Sequence, residues 1–204
     1  DKEVRARLPV HMLESLVCFG RVLVSPPLLG YCAEQGITTC FLTPNGKLLA
    51  RVEGPVSGKV LLRRQQYRCS DDPARCEPIV RNLLQGKLYN QRAVLGRALR
   101  DHGGKLVASD EAALTHAYQR LDRIAANLPQ EASVDLLRGY EGEAAQSYFG
   151  VFDHLIRVPG TAMRFTGRSR RPPLDAVNAL LSFLYTLVTH DCRSALESVG
   201  LDPA

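Results

Sequence analysis

The sharpest break in the sequence is "GPVSG" (residues 54–58), which separates two stretches with different hydrophobic patterns. Glycine, proline and serine in one short run favour a loop. Before this run, the apolar residues come in short β-branched or aromatic segments, and after it they recur at steps of three and four. Strands segregated from helices predict an α+β protein. We expect a small β-rich N-terminal domain (1–54), a linker (55–58) and an α-helical C-terminal domain (59–204).

The predicted N-terminal domain carries strand, helix and hairpin signals. Strands are predicted in "EVRARLPV" (3–10), "SLVCFG" (15–20) and "ITTCFL" (37–42). Ser25, as an N-cap before two prolines, begins a helix that Gly36 ends. The pair Asn45-Gly46 favours a type I′ turn, which predicts a hairpin.

The composition is that of an ordinary folded protein, with 45% apolar residues and a net charge of +5. The positive charge favours a polyanionic partner. No apolar run is long enough to span a bilayer, and no secretory signal pattern is visible. The six cysteines lack metal-ligand spacing, which favours reduced, buried thiols in a cytoplasmic protein.

Two glutamates, two residues apart, lie in a helix predicted from about Ser133 to Arg157. Residues at steps of three and four share a helix face. The apolar face comprises Leu137, Glu141, Ala145, Tyr148, Phe149 and Phe152, and the polar face comprises Glu143, Gln146, Ser147, Gly150 and His154. We therefore expect Glu143 to be solvated and Glu141 to point toward the interior or a cleft. Because an unpaired buried carboxylate is costly, Glu141 is either salt-bridged, for example to Arg138, or functional.

Polar residues form one stripe along the last predicted helix (174–199). They are Asp175, Asn178, Ser182, Tyr185 and Thr189, at spacings of three and four. An exposed helix face normally carries lysine and glutamate, whereas this stripe is uncharged after its first residue. The pattern favours a polar cleft over a solvent-facing edge, with side chains suited to hydrogen-bond a phosphate or a carboxylate.

The segment "RVPGTAMRFTGRSRRPP" (157–173) is rich in arginine and has no acidic residue. Its arginines are Arg157, Arg164, Arg168, Arg170 and Arg171. Proline and glycine exclude a regular helix through most of it. Guanidinium groups bind phosphate bidentately, so we interpret the segment as a loop that contacts a phosphate backbone, with Phe165 as a stacking group. A solvated loop without a partner is the alternative.

Three stretches of the chain resemble the CRISPR spacer-acquisition integrase family, the Cas-one endonucleases, and in particular their type I-C branch. They are "VCFGRVLVSPPLLGYCAEQGITTCFLTPNGKLLARVEG" (17–54), "LLRGYEGEAAQSYFGVF" (136–152) and "RSRRPPLDAVNALLSFLYTLVTHDCRSALESVGLDP" (168–203). The glutamate-glycine pair in a helix and the downstream D-x-x-N-A-x-L-S-F-x-Y are specific in combination. The resemblance covers essentially the whole chain.

The resemblance implies a metal-dependent DNA endonuclease and integrase that joins the 3′ ends of prespacer DNA to a CRISPR repeat. It also implies a homodimer that assembles with the Cas-two protein on double-stranded DNA. The family holds Mn²⁺ or Mg²⁺ through a glutamate, a histidine and an aspartate, and Glu141 matches the catalytic, metal-binding glutamate. Asn178, Ser182 and Tyr185 fall near the site. The DNA-binding candidates are Arg138, Arg164, Arg168, Arg170 and Arg171.

The family's histidine and acidic ligands lie in a segment after "GLDP" (200–203), and neither His154 nor His190 matches them. We therefore expect a fragment that lacks these ligands and the early N-terminal strands, leaves the metal unbound and is inactive. The alternative is a non-catalytic scaffold that binds DNA or a partner protein. An open cleft that gathers Asn178 and Tyr185 beside Glu141 favours the integrase, and an arginine salt bridge that closes off Glu141 favours the scaffold.

Overall fold

A computed structural model describes residues 4, 6–52, 54, 59–158, 160 and 163–203 of the chain. The α+β prediction is confirmed, with one three-stranded sheet near the N-terminus followed by long helices. The strands and α-helices are β1 (Ser15–Phe19), α1 (Pro26–Glu34), β2 (Thr38–Leu42), β3 (Leu48–Val52), α2 (Val60–Ser70), α3 (Pro73–His102), α4 (Ala108–Ala126), α5 (Val134–Gly150) and α6 (Ala176–Ser198). Short 3₁₀ helices cover Val10–Met12, Gly103–Lys105 and Phe152–Leu155.

The chain forms two compact units. One, the sheet unit, comprises Asp1–Arg64 and Phe183–Ala204, and the other, the helical unit, comprises Gln65–Ser182. The predicted linker at 55–58 lies outside the described residues, so the predicted division into domains 1–54 and 59–204 stays a prediction. No helix in the described ranges is long and apolar enough to cross a membrane.

The sheet has the order β1-β2-β3, with β1 parallel to β2 and β2 antiparallel to β3. The parallel pair needs a crossover, which α1 supplies, and Pro26 and Pro27 occupy its first turn as predicted. The first predicted strand is wrong, because Val4 and residues 6–9 are irregular and a 3₁₀ helix begins directly after Pro9. Pro9 has no N–H to donate to a sheet, which disfavours a strand over the described part of this pattern.

The β2–β3 hairpin is present, but its turn is not type I′. Gly46 donates its N–H to the Thr43 carbonyl at 2.9 Å and has φ +81°, whereas Asn45 has no positive φ. Pro44 restricts the turn to a negative φ at its second position. A turn of that kind followed by one left-handed glycine is the three-residue hairpin loop.

Basic side chains hold the C-terminal end of α6 within the sheet unit. Lys59 donates from Nζ to the Val199 carbonyl at 2.8 Å, and Arg63 donates from Nε to the Gly200 carbonyl at 3.2 Å. Arg51 of β3 forms an ion pair with Glu197. Cations at this end of a helix satisfy carbonyls that have no intrahelical partner and oppose the helix dipole.

The six cysteines are predicted to be buried, and this prediction is right for three of them. Cys18, Cys32 and Cys40 are buried free thiols, whereas Cys192 is exposed. Burial raises the pKa of the Cys18 and Cys40 thiols, which keeps them protonated and poorly nucleophilic.

His190 of α6 should make the stability of the sheet unit depend on pH. Its side chain is 6% exposed, and Nδ1 has no hydrogen-bond partner among the described residues. Burial, followed by the charges of Arg193 and Arg51, lowers the pKa of His190. The unfolded imidazole therefore takes up a proton first, at about pH 6.5, and stability falls as the pH decreases from there toward the lower folded pKa.

Urea unfolding followed between pH 7.5 and pH 5 checks this expectation. In His190→Gln, the part of the pH dependence that begins near pH 6.5 should disappear. An unchanged slope in that variant would assign the pH dependence to other groups.

The helical unit is a bundle of α3, α4 and α5 around an aliphatic core. Asp72 begins α3 as an N-cap by accepting the N–H of Ala74 at 3.0 Å, and Pro73 follows at the first helical position. The buried core residues of the three helices are Leu84, Leu88, Leu95, Leu114, Ala117, Leu121, Ile124, Leu137 and Ala144. Helix α5 contributes to this core through one line of side chains, and this line orients its two glutamates.

Candidate functional site around Glu141

Helix α5 begins with an N-cap and ends earlier than predicted. Ser133 accepts the N–H of Leu136 at 3.1 Å. The helix ends at Gly150 instead of continuing to Arg157, and the next residues form a 3₁₀ helix. Leu137 and Ala144, seven residues apart, are its fully buried residues. Glu141 and Glu143 lie on either side of the line between them.

Glu141 is not buried in the interior, which corrects one of the two positions that helix periodicity predicted for it. Its side chain is 44% exposed and pairs with Lys87 of α3, whose side chain is 41% exposed. Arg138 is not its partner, because that guanidinium bonds Asp135 at 2.7 Å. A glutamate at the edge of a buried line can extend its carboxylate to solvent while its methylene groups cover apolar surface.

Glu143 is not freely solvated, which corrects the second half of that prediction. It forms an ion pair with Arg120 of α4, and its side chain is 35% exposed. The two glutamates therefore link α5 to two different neighbours, Glu141 to α3 and Glu143 to α4. Lys87 and Arg120 were not predicted, because they lie far away in sequence and only the packing of the three helices brings them to these positions.

The arginine-rich segment is anchored to the end of α5 by an aromatic cluster. Phe165 is 5% exposed, and its ring lies 5.0 Å from that of Phe152 and 6.0 Å from that of Phe149. Asp153 accepts the N–H of Phe165 and a guanidinium N–H of Arg164, each at 2.8 Å. The prediction of Phe165 as a stacking group for bases is wrong, because its ring is in the protein core.

Asn178 is fully buried and organises the segment before α6. Its Oδ1 accepts from Arg168 at 2.8 Å and from the Ser169 N–H at 2.9 Å. Its Nδ2 donates to the Gly167 carbonyl at 2.8 Å and to Asp175 at 2.7 Å. The described contacts include none between Asn178 and Glu141.

The predicted polar stripe on α6 is not one uniform cleft. Asn178 is buried, Ser182 is half-buried, and Tyr185 and Thr189 are exposed. Tyr185 belongs to the sheet unit, whereas Glu141 belongs to the helical unit. The gathering of Asn178 and Tyr185 beside Glu141, and the roles of Asn178, Ser182 and Tyr185 near the site, stay predictions.

The five arginines predicted to bind DNA lie in different surroundings. Arg138 and Arg164 are exposed but paired with aspartates, and Arg168 is half-buried against Asn178. Arg170 and Arg171 are exposed, and within the described ranges they make no hydrogen bond or ion pair. Arg168 and Arg170 also border a cleft of about 470 Å³ beside the last two turns of α5.

The described residues do not contain a complete metal site. No group of three or more histidine, cysteine, aspartate or glutamate side chains comes together in those ranges. His154 lies 3.4 Å from Asp110, and this pair is separate from Glu141. Glu141 therefore contributes one carboxylate, without a second protein ligand among the described residues.

Comparisons with known proteins agree on one family. The family model described as "CRISPR associated protein Cas1" matches residues 1–204. A relative from Rhodospirillum rubrum, "CRISPR-associated endonuclease Cas1 2", is 57% identical over 205 residues, which cover 100% of this chain and 59% of that protein. The chain thus spans about three fifths of the length of this relative.

Two solved structures share the fold at low sequence identity. A casposase bound to an integration product has a TM-score of 0.69 and 22% identity, with 93% of this chain and 50% of that chain covered. A Cas6-RT-Cas1–Cas2 complex has a TM-score of 0.63 and 22% identity, with 93% of this chain and 20% of that chain covered.

Proposed function

Because the chain belongs to the Cas1 family of CRISPR-associated proteins, we propose that it is part of a metal-dependent DNA endonuclease and integrase. The reaction is the insertion of spacer DNA into a CRISPR array, the adaptation stage of CRISPR immunity. The observation that carries the proposal is the accessible carboxylate of Glu141, held in the middle of a helix that is packed into the core on the turns before and after it. A rigid helix positions such a group more precisely than a loop does.

We propose Glu141 as the catalytic carboxylate that binds Mg²⁺ or Mn²⁺. A single carboxylate is only part of a Mg²⁺ site, because proteins bind this ion through one or two carboxylates together with substrate phosphates and water. Glu141 would thus need further oxygen or nitrogen ligands, and the resemblance implies a histidine and an aspartate. When bound, the ion supplies charge stabilisation for the attacking and leaving oxygens of a phosphodiester.

Lys87 supports a role for Glu141 in phosphate chemistry. Its ammonium group brings a positive charge next to the carboxylate, and both side chains remain accessible to solvent. A site that receives a phosphodiester benefits from a cation at this position, because it attracts the phosphate. Glu141 is paired with an accessible lysine and is not closed off by an arginine, and closure by an arginine is the arrangement that we expected of a scaffold.

We propose that double-stranded DNA, as prespacer and CRISPR repeat, is contacted by the arginine-rich segment. Arg170 and Arg171 carry this proposal, since they are exposed and have no described partner. Arg138, Arg164 and Arg168 would support them. The fold shared with a casposase bound to an integration product agrees with DNA as the substrate. The fold shared with a Cas1–Cas2 assembly agrees with Cas2 as a partner, and we propose a cytoplasmic homodimer.

The test is an integration assay with the natural protein that carries this sequence, purified together with its Cas2 partner. A labelled prespacer duplex is incubated with a plasmid that contains the CRISPR repeat, in Mg²⁺ or Mn²⁺ and in EDTA. We expect labelled strands to be joined to the plasmid only with a divalent cation. DNA binding without cleavage or joining in either metal would overturn the integrase proposal and favour the scaffold.

A further inference from the structure

Every hydrogen-bonding position of the Asn178 side chain is occupied by a residue of one short segment, residues 167–175. An asparagine amide offers two acceptor positions and two donors, and all four are used here. The acceptor oxygen bonds Arg168 and Ser169, and the amino group bonds Gly167 and Asp175. Because the side chain is 0% exposed, water cannot replace any partner that is lost.

The segment held by Asn178 is the part that leads into the exposed arginines. Gly167, with φ +144°, precedes Arg168 and allows the backbone to turn there. Ser169 accepts the N–H of Leu174 at 3.0 Å, which ties the segment down on the far side of Arg170 and Arg171. These two arginines therefore lie between two fixed points of the backbone.

The residue directly before α6, Asp175, fixes Asn178 itself. Asp175 accepts the backbone N–H of Asn178 at 2.6 Å as well as a side-chain N–H at 2.7 Å. The guanidinium of Arg168 also donates to the Ser169 carbonyl at 2.7 Å. Asn178 thus joins a rigid helix end to a loop that contains proline, glycine and arginine.

We propose that Asn178 is a positioning residue for DNA binding, which acts by fixing Arg168 and thereby presenting Arg170 and Arg171. This inference rests on the proposed function. A loop that is ordered before binding loses less conformational entropy when DNA binds. The residue does not contact DNA, so its effect should pass through Arg168.

A double-mutant cycle on DNA affinity tests this. Asn178→Ala and Arg168→Ala should each weaken binding by about fivefold to tenfold, the loss expected when one or two long side chains are no longer ordered in advance. The double variant should bind DNA as tightly as the single variant with the lower affinity, because the effects of substituting two residues that act as one unit do not add. Binding is measured by fluorescence anisotropy on the natural protein, at a temperature where every variant is folded.

A matched control cycle pairs Asn178→Ala with Arg138→Ala. Arg138 is also predicted to bind DNA, but it bonds Asp135 and not Asn178. The effects of Asn178→Ala and Arg138→Ala should multiply. If Asn178→Ala does not fold, Asn178→Ser enters the same cycles, since a neutral hydroxyl keeps the position polar but cannot replace all four hydrogen bonds of the amide. Amide exchange of Ser169 provides an independent readout, because its protection should be lost in Asn178→Ala while the core amides of α4 stay protected.

Two outcomes separate this inference from the proposed function. If the wild type binds DNA but the effects of the Asn178 and Arg168 substitutions on affinity multiply, only the positioning role of Asn178 is overturned. Absence of DNA binding by the wild type would overturn both.

Discussion

Replacing Glu141 by glutamine should abolish metal-dependent DNA joining while leaving the fold intact. The substitution keeps the shape of the side chain and removes its charge, and a neutral amide is a poorer ligand for a hard cation. A loss of about 4 kcal/mol of transition-state stabilisation corresponds to about a thousandfold in rate. The ion pair with Lys87 is more than one-third exposed on both sides, so its loss costs stability only ~0–1 kcal/mol. Unfolding therefore cannot account for an activity loss of this size.

Glu143→Gln is the matched control for this prediction. Glu143 lies in the same helix two residues away and also forms one interhelical ion pair. We expect this variant to retain activity within a few-fold, since losing its ion pair loosens the orientation of α5 slightly but leaves the Glu141 carboxylate in place, and its melting temperature should be close to that of Glu141→Gln. Joining activity in the Glu141 variant, or an equal loss in the Glu143 variant, would remove the case for Glu141 as the catalytic carboxylate. The rates are measured by gel quantification of joined strands in Mn²⁺.

The largest effect on stability is expected for Leu121→Ala in α4. Leu121 is completely buried among the leucines of α3, α4 and α5. Truncating a leucine at such a position costs about 2–5 kcal/mol, through lost apolar burial and the cavity that remains. Since a domain of this kind is stable by only about 5–15 kcal/mol, a large part of its stability should be lost.

Urea unfolding measured by circular dichroism checks this expectation, with Leu83→Ala as the control. Leu83 is on α3 but is exposed, so its truncation should change the free energy of unfolding by at most about 0.5 kcal/mol. A loss below about 1 kcal/mol in Leu121→Ala would mean that the core of the helical unit refills the space.

Local patterns predicted the elements that depend on local chemistry. The helix that starts at Pro26 follows from the two prolines in its first turn, although the predicted N-cap Ser25 makes no side-chain capping bond, and the hairpin after β2 follows from its turn residues. The hairpin's turn type was missed, because Pro44 restricts the backbone more strongly than Asn45-Gly46 favours a type I′ turn. The pattern in "EVRARLPV" was misread for a similar reason, since alternation alone does not form a strand without a partner and with a proline at its end.

The surroundings of the two glutamates could not be predicted, because they depend on which helix packs on each flank of α5. Periodicity placed Glu141 on the apolar side and Glu143 on the polar side, but the buried line runs between them. The contacts that matter come from Lys87 and Arg120, which are 54 residues and 23 residues away in the sequence. The spacing predicts Asn178 as a site residue, and the structure places its side chain in the interior, where it bonds the backbone of the segment before α6.

The two ion pairs of α5 also limit its rotation about its own axis. A helix held on one flank can roll, and a roll of a few degrees displaces the end of a long side chain more than it displaces the backbone. Arg120 and Lys87 hold α5 from opposite sides, so a roll that shortens one contact lengthens the other. The direction in which the Glu141 carboxylate points is therefore set partly by an arginine on the far side of the helix.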